Sequence, residues 1–455
     1  MKNDSKFIKE TIGNVMKDVH FSERDRQKVL LEVKKLKEEK SSRPNIIVLY
    51  KKHIAAAIIF CLFISMLITF PKLSPTLANT LSSLPFIESI FKAYGDGGLK
   101  KGKDSQLVSN VIATSKSNEA EMTIEEAIYD GERISFSYVV ESKEPIRDYQ
   151  IDNFNVSFKE EARAAAKGKL TDAGNYELVT ANKVAGIGTV NFYQHKDFPK
   201  ELEVHPYYAV VINGKYEIFQ FEFKLTKTEN VETITPMLTR KNKESEFTVK
   251  EIKRTPITTV VNMSFKRPLQ ENDDNMLMFR LITNEGEVIP WIYNTHGYGG
   301  ITIKDNMEVV DSIQESFEGL DEKNTDSVTI QPMIVSNNSS YNPIEKPFRG
   351  KDTKLDLGEL GEINIIGVKY TGNVMTLTYE LNSQFPFLHS NYFTLKDHLG
   401  KVYYGANTSK TFKEKDHYIV EEEFMNIPKK ELMIEYIQEE APEILKDLEI
   451  EVPLK

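Results

Sequence analysis

Eight histidines and one cysteine are the residues from which a metal or thiol site would have to be built. A zinc site needs paired ligands, typically histidines three or four residues apart. His195, His205, His296, His389, His398 and His417 show no such pairing, and His20 and His53 stand alone near the amino end. Cys61 lies within an apolar run, so no disulfide framework is expected. Neither a G-x-S-x-G elbow nor an S-x-x-K set with supporting partners is present. His296-Gly297-Tyr298-Gly299-Gly300 is rich in glycine, but no helical pattern follows it, so it reads as a turn and not a phosphate loop. Glu271-Asn272-Asp273-Asp274-Asn275 lacks the EF-hand ligand spacing and reads as a solvated acidic turn. The expectation is a chain that is not an enzyme and uses neither cofactor nor metal.

The charge distribution separates two environments. Residues 1–53 hold 14 Lys+Arg against 8 Asp+Glu, so with a net charge of −10 the remainder carries −16. Between basic head and acidic body, Ile54 to Phe70 is a 17-residue stretch without a charge. At 1.5 Å per residue it covers about 26 Å, close to the ~30 Å hydrocarbon layer of a bilayer. Lys51, Lys52 and Lys72 can snorkel over the difference. A soluble core helix of this length would show a polar face, and this one has none. Ile54, Ile58, Phe63 and Phe70 are therefore expected to face lipid. Lys34, Lys35, Lys37, Lys40, Arg43, Lys51 and Lys52 precede the run and only Lys72 follows within 20 residues. The positive-inside rule places the amino end in the cytoplasm and the body outside the cell. Thr76-Leu77-Ala78 loosely suits signal-peptide cleavage, but the charged leader is far too long for that class, and an uncleaved single-pass anchor is expected.

The head, residues 1–50, reads as two amphipathic helices. Ile8, Ile12, Val15, Met16 and Val19 share one face of a 3.6-residue period. After the break at His20-Phe21, Ser22 with Asp25 three residues on resembles a capping box. The second helix presents Val29, Leu30, Val33 and Leu36. Two such helices cannot bury their faces alone. They either lie on anionic lipid as a basic stalk or dock into the groove of a cytoplasmic protein through Ile12, Val15, Val29, Leu30, Val33 and Leu36. With an acidic body, no direct nucleic-acid binding is expected.

Beyond the span, residues 73–120 read as a short helix carrying Leu81, Leu84, Phe86, Ile87, Ile90 and Phe91. Gly95-Asp96-Gly97-Gly98 stops it, and an exposed, lysine-rich linker follows. The rest alternates with period two, the mark of a β-sandwich. It also repeats. Thr123-Ile124-Glu125-Glu126 leading into Ile134–Tyr138 returns 125 residues on as Thr248–Glu251 with Thr259–Met263, and 241 on as Asn364–Gly367 with Met375–Tyr379. Phe279–Val288 resembles Phe393–Val402, and Leu202–Pro206 matches Val328–Pro332 and, more weakly, Leu432–Tyr436. Three β-units are expected, at 121–227, 228–345 and 346–455, each of a size that suits an immunoglobulin-like sandwich. Phe136 should face the core, opposite Ser135 and Ser137. Tyr138, Tyr207, Tyr208, Phe219, Phe221 and Phe223 read as core aromatics.

Pro75–Leu81, Leu84–Phe91 and Gly95-Asp96-Gly97-Gly98-Leu99 together resemble the start of an uncharacterised outer-domain family. It is found in single-span proteins of Gram-positive spore-forming bacteria. Val19-His20-Phe21-Ser22 with Val29-Leu30 is similar to the short helical head of such proteins. The family is treated as anti-sigma factors of extracytoplasmic-function sigma factors. The resemblance covers roughly residues 1–225, with the later β-units like an associated carboxy-terminal domain, and the head lacks the His and Cys ligands of zinc-binding anti-sigma domains. It implies a sigma factor as cytoplasmic partner, a signal or ligand in the envelope, and release aided by a membrane protease. The other reading is a surface-anchored binding or structural protein with no signalling role.

Overall fold

The computed structural model describes residues 89–455 except 160–168, 173–175, 194–197, 229–230, 270–274, 293–296, 322–323, 337–341, 373 and 429–430. The docking residues Ile12, Val15, Val29, Leu30, Val33 and Leu36 lie outside the described residues, as do Ile54, Ile58, Phe63, Phe70, His195, His296 and most of the acidic run 271–275. Among the described residues, no helix is long and apolar enough to cross a membrane. The described chain is mainly β-sheet, built from strands whose side chains obey the period of two. Met375, Leu377, Tyr379 and Leu381 are buried, while Thr376, Thr378 and Glu380 between them are half-exposed.

Fifteen strands form a pattern used three times. The first set is β1 (Ala120–Tyr129), β2 (Arg133–Ser142), β3 (Tyr149–Phe158), β4 (Lys183–Phe192) and β5 (Glu201–Ile212). The second is β6 (Glu246–Arg254), β7 (Thr258–Pro268), β8 (Met276–Thr283), β9 (Met307–Glu318) and β10 (Ser327–Val335). The third is β11 (Glu362–Thr371), β12 (Val374–Asn382), β13 (Phe393–Asp397), β14 (His417–Met425) and β15 (Leu432–Tyr436). In each set the first, second and fourth strands lie side by side in one sheet, and the third and fifth pair in another. Residues from both sheets of a set meet in one hydrophobic core, giving three sheet pairs with three cores.

The repeat seen in the sequence is a repeat of hydrogen-bond register. β1 and β2 slip between Ile124 and Glu126, β6 and β7 between Val249 and Glu251, and β11 and β12 between Ile365 and Gly367. These positions are related by the same offsets of 125 and 241. The partners before the slip also correspond: Ile124 faces Tyr138, Val249 faces Met263 and Ile365 faces Tyr379. A β-bulge adds twist and re-aims side chains, so its recurrence at one place fixes the same bend in all three sheets.

Pairs two and three exchange their last strands. In pair one, β5 turns at Asn213-Gly214 into Lys215–Gln220, which pairs back on it, and Phe223–Thr226 then covers its first half. In pair two, those places on β10 are taken by Glu443–Ile444 and Ile450–Pro453, from beyond pair three. The strand that follows β10 in the chain, Ile344–Pro347, instead pairs with β15 of pair three. Leu448, Ile450, Val452 and Leu454 accordingly belong to the core of pair two. This corrects the expectation that 346–455 forms one unit: its last strands complete the middle pair. Alternation in Ile450-Glu451-Val452 identifies a strand but not the sheet it joins.

Two local readings change as well. Gly297–Lys304, whose first half was read as a turn, is an edge strand pairing with β9. Phe136 is fully buried against Phe223, with ring centroids 5.6 Å apart. Ser135 and Ser137 do lie on the other face but are also fully buried, because that face is covered too. The Ser137 hydroxyl accepts the Glu126 amide in the bulge at 3.1 Å, and Ser135 pairs with Thr189 at 3.0 Å.

Candidate functional site: a charged junction at the first helices

The cover over β2 is a pair of short helices, α1 (Ile90–Tyr94) and α2 (Gly97–Asp104). Ile90, Phe91 and Leu99 pack on Ile128, Val139, Ala185 and Ile187 of pair one and on Ile257 of pair two. The segment read as an exposed linker is therefore helix α2 followed by the strand Ser109–Lys116, which extends the sheet of β1. Two glycines that read as a helix stop have another role here. A Cβ on Gly97 would collide with the Glu318 carboxylate, and one on Gly98 with the Ile257 carbonyl and the Arg133 guanidinium. Glycine lets the helix start lie flush against both sheet pairs.

Asp96 caps α2, accepting the Leu99 amide at 2.9 Å. The same carboxylate receives Arg133 from β2 in a two-pronged pair, at 2.5 Å from Nη1 and 3.0 Å from Nη2. Arg133 is 1% exposed, and its Nη2 also donates to the Ile257 carbonyl at 3.1 Å. From the end of β9, Glu318 accepts the Gly97 amide at 2.8 Å, and Lys101 donates to the Leu320 carbonyl at 2.7 Å. One guanidinium, two carboxylates and a helix amino terminus thus join α2 to pairs one and two. On the helix flank, Ser89 donates to Glu126 at 2.8 Å and Lys103 pairs with the same carboxylate. Asp130 adds a second tie, accepting the Thr255 hydroxyl at 2.7 Å as well as the Glu132 and Arg133 amides.

The electrostatics push the two carboxylates apart. Burial alone would raise Asp96, but the charge and hydrogen bonds of Arg133, with the amides of Leu99 and Gly98, hold it below the usual carboxylate range. Burial first, and then the neighbouring Asp96 charge, push Glu318 up to about 7, against the weaker pull of the Gly97 amide, Arg133 and Lys100. Arg133 loses hydration by burial, and the Asp96 charge more than restores its preference for the proton. Among the described residues no group of three His, Cys, Asp or Glu side chains is placed to hold a metal.

Two other places are less developed. A cleft of about 710 Å³ lies beside the crossing residues Ala441, Pro442 and Ile444, with Glu359, Asp416 and His417 on its wall. In pair three, Glu422 is fully buried and receives the Tyr379 hydroxyl at 3.1 Å. Among the described residues, His205 lies 3.5 Å from Glu203, His389 3.0 Å from Glu439 and His417 3.8 Å from Glu414. Sequence reasoning passed over Asp96, Arg133 and Glu318. Asp96 did carry a signal: an N-cap residue followed by Lys101 and Lys103 in what becomes the last turn.

Residues 48–142 match the family model described as Domain of unknown function (DUF4179). The match runs from before the expected span through α1 and α2 to the end of β2. No curated protein matches the chain. Among solved structures, a conserved domain protein from Bacillus anthracis is similar at 16% identity and a TM-score of 0.40, over 54% of this chain and 83% of that one.

Proposed function

We propose that the chain is a membrane-anchored regulator, an anti-sigma factor of the extracytoplasmic-function type. In this reading residues 54–70 cross the cell membrane once, and the amino-terminal helices hold a sigma factor on the cytoplasmic side. The three sheet pairs, as tandem immunoglobulin-like units, face outward and sense the envelope. Two features bring the pairs close to that fold: the first, second and fourth strands share a sheet opposite the third and fifth, and they pair antiparallel. The observation that carries the regulatory reading is the junction at α2. The chain leaving the expected span enters a clamp made by two sheet pairs, so a change in how the pairs sit would bear on the tether directly. Release would follow when the head lets go, with a membrane protease as a partner in that step.

The test is sigma-dependent transcription in cells. Changing Val29 and Val33 to Asp places charges in a contact that must be dry, which is costly unless they are paired. Transcription should rise toward the level of the full gene deletion while membrane blots show the protein still present. Exchange of Lys34 and Lys35 for Gln should do less. If deletion leaves transcription unchanged, the second reading stands: a surface-anchored binding or structural protein. The strand exchange favours that alternative, since it ties pairs two and three into one durable body.

A further inference from the structure

The second sheet of pair one turns one face to solvent, and the residues of that face fall into rows across three strands. Gln150 of β3, Val211 of β5 and Tyr216 of the strand Lys215–Gln220 form the first row. Asn153, Ala209 and Ile218 form the second, and Asn155, Tyr207 and Gln220 the third. Tyr216 reaches across the sheet, and its hydroxyl donates to Asp152 of β3 at 3.0 Å. The two residues stand on strands two places apart, about 9.5 Å, so the ring has to lie over β5 between them. Asp152 is available there because the register of β3 slips between Ile151 and Asn153, and a bulge re-aims its extra residue. Tyr216 is nevertheless 55% exposed. An aromatic ring tied down at its far end and open on its outer side is a surface for stacking.

The three rows, all among the described residues, contain no lysine or arginine, and Asp152 is the acid beside them. Their polar groups are amides, each of which both donates and accepts, as adjoining hydroxyl groups require. Past the third row a cleft of about 480 Å³ opens among Ser157, His205, Tyr207, Gln220 and Glu222. We propose that this face of pair one binds an uncharged glycan chain. One sugar ring stacks on Tyr216, its hydroxyls meet the amides of Asn153 and Gln220, and the chain runs on into the cleft beside Tyr207. Tyr216 and Tyr207 lie two rows apart, about 14 Å along the strands, so a chain of several sugars is needed to touch both. The inference rests on the reading that the sheet pairs sense the envelope, and it names the chemical class of what they sense. A phosphate- or sulfate-bearing polymer suits the face less, because such anions are met by lysine and arginine.

The experiment is a binding screen of the full chain, held in lipid nanodiscs, against an array of linear uncharged oligosaccharides. Hexamers of glucose and of N-acetylglucosamine are included, with sulfated and phosphorylated polymers alongside, and affinities are then measured by calorimetry. At least one uncharged chain should bind, with little dependence on salt. Tyr216→Ala should weaken that binding by about tenfold or more, as truncation of a contact aromatic does. Tyr216 and Gln220 are both exposed, so Tyr216→Ala and Gln220→Ala should each keep the melting temperature of the unaltered chain. Gln220→Ala should also weaken binding, which covers the case in which the tyrosine variant fails to fold. The proposal is overturned if no uncharged glycan binds, if only the charged polymers bind, or if both variants bind as well as the unaltered chain. None of these readouts involves transcription, so failure of the glycan site and failure of the regulator reading, judged by gene deletion, are separate results.

Discussion

The reciprocal exchange predicts that the middle sheet pair depends on side chains more than a hundred residues downstream. Leu448 is fully buried and Ile450 is 2% exposed, both in the core of pair two. Replacing a buried leucine or isoleucine by alanine costs about 2–5 kcal/mol each through lost burial and a residual cavity. The double change Leu448→Ala with Ile450→Ala would cost about 4–10 kcal/mol if the two were independent, and somewhat less because they are neighbours. A domain is stable by only ~5–15 kcal/mol, so pair two should be near the edge of unfolding. The chain has a single tryptophan to read this out. Trp291 bridges to Phe317 of β9, and its indole donates to the Phe279 carbonyl of β8 at 2.7 Å. Denaturant unfolding followed by tryptophan fluorescence should shift to much lower midpoint, and hydrogen exchange should show β6 and β7 losing protection. An unmoved tryptophan transition with lost protection confined to β12 and β14 would place the strand in pair three and refute the exchange.

Asp96→Ala leaves the Arg133 guanidinium buried without its partner and removes the cap of α2. Since Asp96 keeps 28% of its side chain exposed, the loss should sit near the lower end of the ~3–5 kcal/mol range for a broken buried pair, read as a lowered melting temperature. Glu422 is pushed by burial from 4.5 to about 7, so its contribution to stability is full below its unfolded value and is lost as pH rises through about 7. Glu422→Gln should flatten the fall in melting temperature between pH 5 and 8, by on the order of 3 kcal/mol at most, and an unchanged profile would reject that assignment. Phe136→Ala should cost about 3–5 kcal/mol in pair one while the Trp291 transition stays in place.

What could be read from the residues was whatever is local. The bulged hairpins announced themselves as a repeat because their two strands are adjacent in the chain and their register is set by the short turn between them. Phe136, Tyr138, Tyr208, Phe219 and Phe221 are buried as alternation suggests, whereas Tyr207 and Phe223, expected in the core as well, are only half-buried; Tyr207 is next to Tyr208 and so points to the opposite face. Helix α2 was missed because its glycines argue against a helix until the surfaces they admit are known. The junction was missed for a related reason: Asp96, Arg133 and Glu318 are far apart in the chain and become a cluster only by packing. The burial of Ser135 and Ser137 depends on α1 and α2 covering a face that the strand pattern marks as polar.

The exchanged strands also impose a timetable. A chain is made from its amino end, and domains generally fold in that order. Pair one has all its strands once Thr226 is out, since Lys215–Gln220 and Phe223–Thr226 come next to β5 in sequence. The middle pair must wait until Ile450–Pro453 arrive, with β10 left as an open edge through the whole of pair three. Contacts between such distant residues are slow to form. The interval before they close is when this chain is most exposed to mispairing, proteolysis and capture by folding helpers.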